Sequence, residues 1–351
     1  MVAIKNSAKL DNAPIIFKDC KKPIKKIIGM DKVFVTGANG LLGTNLILLL
    51  TEQGYAVIAL VRRKSSFVKP GLANLTLIEG DLHDTEKLIK EIKECRFVVH
   101  IAANTSQSLL KLADYYPTNV QGTENIINAS IQNHIEKLVY IGTANTHGYG
   151  DLSESENENR PMKSPFTKSL YALSKKQAHD IIDKEDTTLN ITTISPTFML
   201  GSYDTKPSSG RIILMALNKR FVFYPSGGKN FVHVIDVAKS IIKAFELKES
   251  GQKFILANEN LSFKEFFKKV VLLNNQKTTL IPIPVFLLFI IGLLGDFCRF
   301  LKIETAISSV NTKILTRDNF YTNNKAKKEL KMEFTSIDKA IMDSVGYLIQ
   351  K

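Results

Sequence analysis

Tyr171 and Lys175 stand four apart in the run Tyr171-Ala-Leu-Ser-Lys175, which begins 28 residues after Thr143. On a helix that spacing puts phenol and ammonium on one face. There the positive charge, with an oxidised nicotinamide, lowers the tyrosine pKa and lets its hydroxyl exchange a proton with a substrate alcohol or carbonyl. The Thr143 hydroxyl, in Gly142-Thr-Ala-Asn-Thr-His-Gly148, would hold the same substrate oxygen. The pair alone carries little weight, because Tyr321/Lys325 and Tyr347/Lys351 repeat its spacing. Tyr171 differs in coming after the fifth strand of a glycine-loop domain, with a hydroxyl at that strand's end.

The element that must position this chemistry is Lys32-Val-Phe-Val-Thr-Gly-Ala-Asn-Gly-Leu-Leu-Gly43, a short apolar strand ending in glycines spaced three apart and passing into a helix. Gly37 permits a sharp turn, Gly40 lets backbone N–H groups approach a pyrophosphate, and Gly43 lets the helix pack tightly on its strand. The helix opening at Leu41 points free N–H groups and a positive dipole end at that phosphate. Gly37, Asn39, Gly40, Leu41, Leu42 and Gly43 are the candidate cradle. Ordinary turns also carry glycines at these spacings, so the assignment depends on the strands and motifs downstream of Gly43.

Tyr55–Val61 reads as a second buried strand. An NAD site would place a carboxylate about 20 residues past the glycines, but here apolar Val61 is succeeded by Arg62, Arg63 and Lys64. Guanidinium groups grip a 2′-phosphate through forked, charge-assisted hydrogen bonds. NADP(H) is therefore favoured, with NAD(H) or a solvated basic loop as alternatives. Strand three, Leu75–Gly80, leads to Asp81 and Leu82, suitably placed for an adenine contact. Strand four, Phe97–Ile101, ends in Ala102 and Ala103, small enough to admit a cofactor; helix–sheet packing would favour the same residues. Asn119 stands where a long helix opens, and Lys137–Ile141 forms strand five. Such β–α alternation predicts an α/β fold with a doubly wound parallel Rossmann sheet whose ligands lie beyond the strand carboxyl ends.

With these motifs in their order and spacing, the chain resembles the extended short-chain dehydrogenase/reductase family, the NAD(P)-dependent epimerases and dehydratases, over essentially residues 31–350. The resemblance rests on Thr36-Gly-x-x-Gly-x-x-Gly43, Asp81-Leu82, His100-x-Ala-Ala103, Asn119-x-x-Gly122-Thr123 and Tyr171-x-x-x-Lys175. It implies Tyr171 as acid/base, Lys175 as ribose ligand and tuner of Tyr171, and Thr143 in the place usually held by Ser, with Asn119 aiding a proton relay. Two departures bear on substrate: Gly142-Thr143 stands where many members have two hydroxyl residues, and His147 where many have Tyr before a glycine. Ile194–Gly201 looks like the sixth strand, so Pro196 and Thr197 would close over the nicotinamide. The stretch from Asp204 to Asp236 is similar to the dihydroflavonol-reductase-like and hopanoid-associated sugar-epimerase-like branch. Lys206, Ser209 and Arg211 there would line a substrate pocket or form a solvated loop. Asn323–Leu330 resembles the family's late helix start.

The expected organisation is a basic, disordered extension at 1–29, a Rossmann domain at 30–195, and a smaller, discontinuous α/β substrate-binding region at 196–351, with segments around 230–246 packing back on the sheet. The 351 residues are 44% hydrophobic and bury a sizeable core. Of the net charge of +13, residues 1–29 hold seven lysines against Asp11 and Asp19. No basic stripe interleaved with aromatics remains, which argues against nucleic acid as a partner. The extension lacks the apolar core and cleavage site of a secretory signal, and Met30 is a second candidate start. Cys20, Cys95 and Cys298 have neither metal-like spacing nor the number for a disulfide framework, which suits a reducing cytoplasm; no metal is expected.

The most apolar stretch, Ile281 to Asp296, meets Gly292, Gly295, Asp296 and Arg299 too soon for a membrane span. A core helix, a hydrophobic pocket wall and, over 282–301, an interfacial helix with weak membrane contact are the three readings. The function expected is hydride transfer between nicotinamide and a secondary alcohol or ketone. A nucleotide-sugar epimerase or dehydratase with tightly held NAD, and a non-catalytic cofactor-sensing protein, are the rivals. The partner is a small-molecule substrate, and a homodimer is a candidate assembly.

Overall fold

The computed structural model describes residues 30–69, 71–151, 157–205 and 208–349. The basic extension, its alternative start at Met1, Cys20 and Lys206 lie outside them. In chain order come β1 (Lys32–Thr36), α1 (Leu41–Glu52), β2 (Ala56–Val61), β3 (Leu75–Glu79), α2 (Thr85–Ile92), β4 (Phe97–His100), α3 (Gly122–Gln132), β5 (Lys137–Ile141), α4 (Leu170–Glu185) and β6 (Ile191–Pro196). The chain continues through β7 (Phe198–Leu200), α5 (Arg211–Leu214), β8 (Phe221–Tyr224), β9 (Gly228–His233), α6 (Val234–Ala244), β10 (Gln252–Leu256), β11 (Glu259–Ser262) and α7 (Phe263–Leu273). It closes with β12 (Thr279–Pro282), α8 (Val285–Phe300), α9 (Ser309–Leu315), β13 (Asp318–Asn319), α10 (Asn324–Glu329) and α11 (Ile337–Ile349).

Seven parallel strands form the main sheet in the order β10-β6-β5-β4-β1-β2-β3. Strand order reverses beside β1, between β4 and β1, so a crevice opens beyond the carboxyl ends of those two strands. β4 and β5 are buried along their whole length, as strands covered by helices on both faces must be. α6 returns from the later part of the chain to pack on α1.

A second sheet pairs β9 with β11, antiparallel, and with β7 and β13, parallel, over different stretches of β9. Its core gathers Phe231, Phe266, Phe267 and Ile341, with the Phe231 and Phe266 rings stacked 4.3 Å apart. α7 starts at a reciprocal cap in which Ser262 Oγ accepts the Glu265 N–H and the Glu265 carboxylate accepts the Ser262 N–H. β12 pairs with β8 and runs directly into α8.

α8 corrects the expectation of a core helix. Only Leu288, Gly292 and Gly295 are buried among its 16 residues, because these make the single stripe that faces α9. A Cβ on Gly292 would lie 2.4 Å from Thr312 Oγ1, and one on Gly295 would lie 2.4 Å from the Ile307 carbonyl oxygen. The glycines therefore permit a close approach to α9, and the remaining apolar side chains point outward. Among the described residues no helix is long and apolar enough to cross a membrane.

Candidate active site

Steric fit fixes the glycine loop. Gly37 adopts φ +70°, and a Cβ there would lie 2.7 Å from the Ala102 N, so the chain leaving β4 rests directly on the turn. A Cβ on Gly43 would come within 2.2 Å of the Gly37 carbonyl oxygen, whereas one on Gly40 would meet nothing nearer than 3.4 Å. Gly40 thus faces open space at the start of α1, where no side chain caps the helix. The N–H groups of Leu41, Leu42 and Gly43 belong to the first turn, which has no intrahelical acceptors. Asn39 donates from Nδ2 to Ser66 Oγ at 2.5 Å, tying this loop to the one after β2. Its Oδ1 is buried with no hydrogen-bond partner. A turn and a helix start that only glycine fits at Gly37 and Gly43, with uncapped N–H groups pointing at the space beside Gly40, match the demands of a dinucleotide pyrophosphate.

Around this cradle, Arg62 and Arg63 lie exposed at the carboxyl end of β2. The Asp81 carboxylate accepts the His83 N–H at 3.0 Å, and buried Leu82 offers its carbonyl to Asn125 Nδ2 at 2.9 Å. Ala102 and Ala103 are half-buried beside the Gly37 turn. Pro196 ends β6; next to it the Thr197 hydroxyl reaches Asn230 Oδ1 at 2.7 Å, so this residue braces β9.

A buried hydrogen-bond chain holds the crevice open. The Thr123 hydroxyl donates to the Asn119 carbonyl at 2.8 Å, so its oxygen accepts from His100 Nε2 at 3.1 Å. His100 Nδ1 is then left to accept the Thr36 hydroxyl at 2.8 Å, while Thr36 Oγ1 accepts the Ile101 and Ala102 N–H groups, each at 3.1 Å. Burial pushes His100 down to about 3, keeping it neutral. The Asn119 side chain is fully engaged: Nδ2 donates to the Asn104 carbonyl at 3.1 Å and to Ser174 Oγ at 2.8 Å, and Oδ1 accepts the Asn104 N–H at 2.7 Å. In this arrangement it fastens the loop after β4 to α4.

Ser169 caps α4, accepting the Ala172 N–H at 3.4 Å, and the helix then carries Tyr171 and Lys175 to the end of β5. The Thr143 side chain lies near the Tyr171 hydroxyl and acts to lower its pKa, while its own Oγ1 accepts the Asn145 N–H at 3.3 Å, so the two predicted hydroxyls come close to one another. Lys175 is buried; Nζ donates to the Ile141 carbonyl at 2.9 Å and lies 4.4 Å from the centre of the Tyr140 ring. The electrostatics differ from expectation. Burial pushes Tyr171 up to about 12, with the nearby Thr143 side chain opposing it, and pushes Lys175 down to about 7. Desolvation is the largest cause at Tyr171 and the one cause at Lys175.

Both family departures have one cause. A Cβ at Gly142 would sit 2.8 Å from Ser195 Oγ, so a larger residue there would push that hydroxyl off His147. The His147 Nδ1–H donates to the Glu158 carbonyl, leaving Nε2 to accept the Ser195 hydroxyl, each at 3.2 Å. His147 is thereby turned away from Tyr171, and burial and nearby His179 depress it to about 4.

In front of Tyr171 lies a cavity of about 210 Å³. Besides Tyr171 its walls include Tyr115, Lys168, Asp296, Arg299 and Asn311, whereas Ser209 and Arg211 are not part of it. Sequence reasoning missed Tyr115 and the inward role of Arg299. Arg299 donates to the Ser108, Leu109 and Thr305 carbonyls at 3.3, 2.6 and 2.8 Å, locking α8 to the loop after β4. The available signal was Asp296 and Arg299 three apart within an otherwise apolar helix, a pattern that charges take only when they have partners.

The sequence profile of the NAD dependent epimerase/dehydratase family matches residues 33–257. A Synechocystis protein named "Putative dihydroflavonol 4-reductase" is 28% identical, covering 90% of this chain and 94% of its own. The Dictyostelium discoideum sterol-4-alpha-carboxylate 3-dehydrogenase, decarboxylating, is 24% identical over 88% of this chain and 97% of its own. The crystal structure of gox2253 superposes with a TM-score of 0.78 at 26% identity, covering 91% of this chain and 98% of that one.

Proposed function

The chain belongs to the NAD dependent epimerase/dehydratase family, and from that premise we propose that it interconverts a ketone and a secondary alcohol with NADP(H), Tyr171 serving as the proton donor and acceptor. The observation that carries this reading is Tyr171 itself, which lines a cavity of about 210 Å³ with the Thr143 side chain near its hydroxyl and Lys175 one helical turn on. When bound, the cofactor supplies or accepts the hydride. In the reducing direction Tyr171 gives its proton to the carbonyl oxygen as negative charge develops there, and Thr143 donates a hydrogen bond to the same atom. A phenol pushed up to about 12 holds its proton until that charge appears. Lys175, with N–H groups beyond the one given to Ile141, would hold the nicotinamide ribose.

Arg62 and Arg63 are exposed where the adenosine ribose would lie, and no carboxylate comes directly after Val61, which supports NADP(H) over NAD(H). The residues beyond Pro196 supply the Asp296 and Arg299 wall and are read as the substrate-binding region. Relatives named for dihydroflavonol and sterol substrates support a polycyclic ketone or alcohol for this cavity. The test is to identify the cofactor released from purified protein and to track NADPH absorbance as steroid and dihydroflavonol ketones are added. Consumption of NADPH is expected. Tightly retained NAD with no net turnover would overturn the reductase in favour of an epimerase.

A further inference from the structure

We propose that the outward face of α8, continued by β8 and β12, is a docking surface for an anionic lipid bilayer and brings an amphiphilic substrate to the Tyr171 cavity. The delivery clause rests on the proposed reductase function; the docking itself does not.

The polarity of α8 is inverted for a helix in water. Its two charged residues turn inward, Asp296 accepting the Ser309 N–H at 3.1 Å and Arg299 donating to three backbone carbonyls. Outside stand Phe286, Phe289, Phe297 and Phe300, exposed by 68%, 61%, 60% and 80%, with exposed Val285, Leu287, Ile290, Leu293 and Leu294 between them. The apolar surface extends beyond the helix: β12 leads into α8, and its partner β8 exposes Phe221 and Phe223. Contiguous exposed apolar area on this scale marks an interaction site. The helix measures roughly 24 Å, too short to span a bilayer but suited to lying in the headgroup plane with its phenylalanines in the acyl boundary.

Charge selects the occupant. Lys219, Arg220 and Lys277 gather where β8 and β12 begin, linked through Thr279 N–H donation to the Arg220 carbonyl at 2.9 Å and Thr278 hydroxyl donation to the Lys219 carbonyl at 2.7 Å. Lys302 stands just past the far end of α8, beside exposed Glu304. Among the described residues none of these four cations is in an ion pair; the Arg220 guanidinium rests 5.3 Å over the Phe221 ring. A second copy laid on this face would oppose cation to cation across an apolar contact. Anionic headgroups neutralise the same rim and leave the acyl region to the phenylalanines. The inner stripe of the helix walls the cavity at Tyr171 through Asp296 and Arg299, so an amphiphile held in the outer leaflet would have a short path to the hydroxyl.

The full-length protein is sedimented with vesicles of phosphatidylcholine alone and of phosphatidylcholine mixed with phosphatidylglycerol, alongside the double variant Phe289→Glu/Phe297→Glu and the charge variant Lys219→Glu/Lys277→Glu. Wild type is expected to co-sediment with the anionic vesicles, less with neutral ones and less in salt. The phenylalanine variant should lower the bound fraction at least about tenfold and the charge variant less. Wild type that stays in the supernatant with anionic vesicles, or a phenylalanine variant that binds as well as wild type, overturns the proposal. If neither binds while sedimentation velocity shows a wild-type dimer that the variant dissolves, the face belongs to a second copy and the bilayer is wrong. Vesicle binding without NADPH turnover sinks only the reductase reading, and turnover without vesicle binding sinks only the docking.

Discussion

Helices α1 and α8 are both apolar, rich in leucine with isoleucine and glycine, α8 adding four phenylalanines, and the fold uses them in opposite ways. α1 buries nine of its twelve residues, whereas α8 buries three of sixteen. Each large apolar side chain removed from water stabilises by roughly 1.5–3 kcal/mol. α1 therefore contributes that term to folding, while α8 withholds it until something covers its outer face. The difference is one of position: α1 lies between the main sheet and α6, and α8 lies at the rim, backed by α9 and tied through Arg299 to the loop after β4. An apolar run reports how much surface wants cover, and the topology reports whether folding provides it.

The largest effect that would sharpen this contrast is expected at Gly43. Gly43→Val drives side-chain atoms into the Gly37 carbonyl and the Ala38 Cα, backbone atoms of the turn itself, and the loss of unfolding free energy should exceed about 3 kcal/mol. In α8 a Cβ at Gly292 meets the Thr312 hydroxyl, which can rotate aside, and the Ser309 Cα only at 2.9 Å, a milder backbone contact than the 2.2 Å at Gly43, so Gly292→Val should cost less. Denaturant titration of both variants compares them, and equal losses would break the contrast.

Next in size is Tyr171→Phe, which removes one oxygen at the cavity that α8 walls. NADPH turnover should fall by about 10²-fold or more while cofactor affinity persists. A matching fall in affinity, read by cofactor fluorescence, would make Tyr171 a packing residue. The double variant Arg62→Ala/Arg63→Ala should weaken NADPH by roughly 1.5–3 kcal/mol, about one to two powers of ten, and leave NADH nearly unchanged. Equal losses for both cofactors would remove the phosphate from the reading of these arginines. The smallest effect belongs to α8: Phe289→Ser, on the outer face, should shift stability by no more than about 0.5 kcal/mol. A melt that drops well beyond that would mean the face is already covered within the chain.

The parts legible in the sequence were those tied to backbone constraint. β5 runs over Lys137–Ile141 as the pattern indicated, and the Gly37 turn takes the positive φ that its residue type allows. The meeting of Thr143 with Tyr171 could be read because a strand end and a helix start are fixed by the β–α alternation around them. What escaped depends on contacts distant in the chain. Gly142 answers to Ser195, Arg299 answers to carbonyls 190 residues away, and the direction in which α8 faces is decided by α9. The rise in the Tyr171 pKa in the protein without cofactor was not legible for a related reason, since spacing supplies the neighbouring charge while burial, which opposes it, emerges only from packing.

The chain of hydroxyls through His100 has a kinetic consequence. Each proton in it has one direction, fixed at one end by the Asn119 carbonyl and at the other by two backbone N–H groups, and its imidazole stays neutral down to about pH 3. The cofactor cradle it braces is therefore silent to titration across the working range. Bends in a pH–rate profile near 7 and near 12 would then report Lys175 and Tyr171 without interference from the loop that positions them.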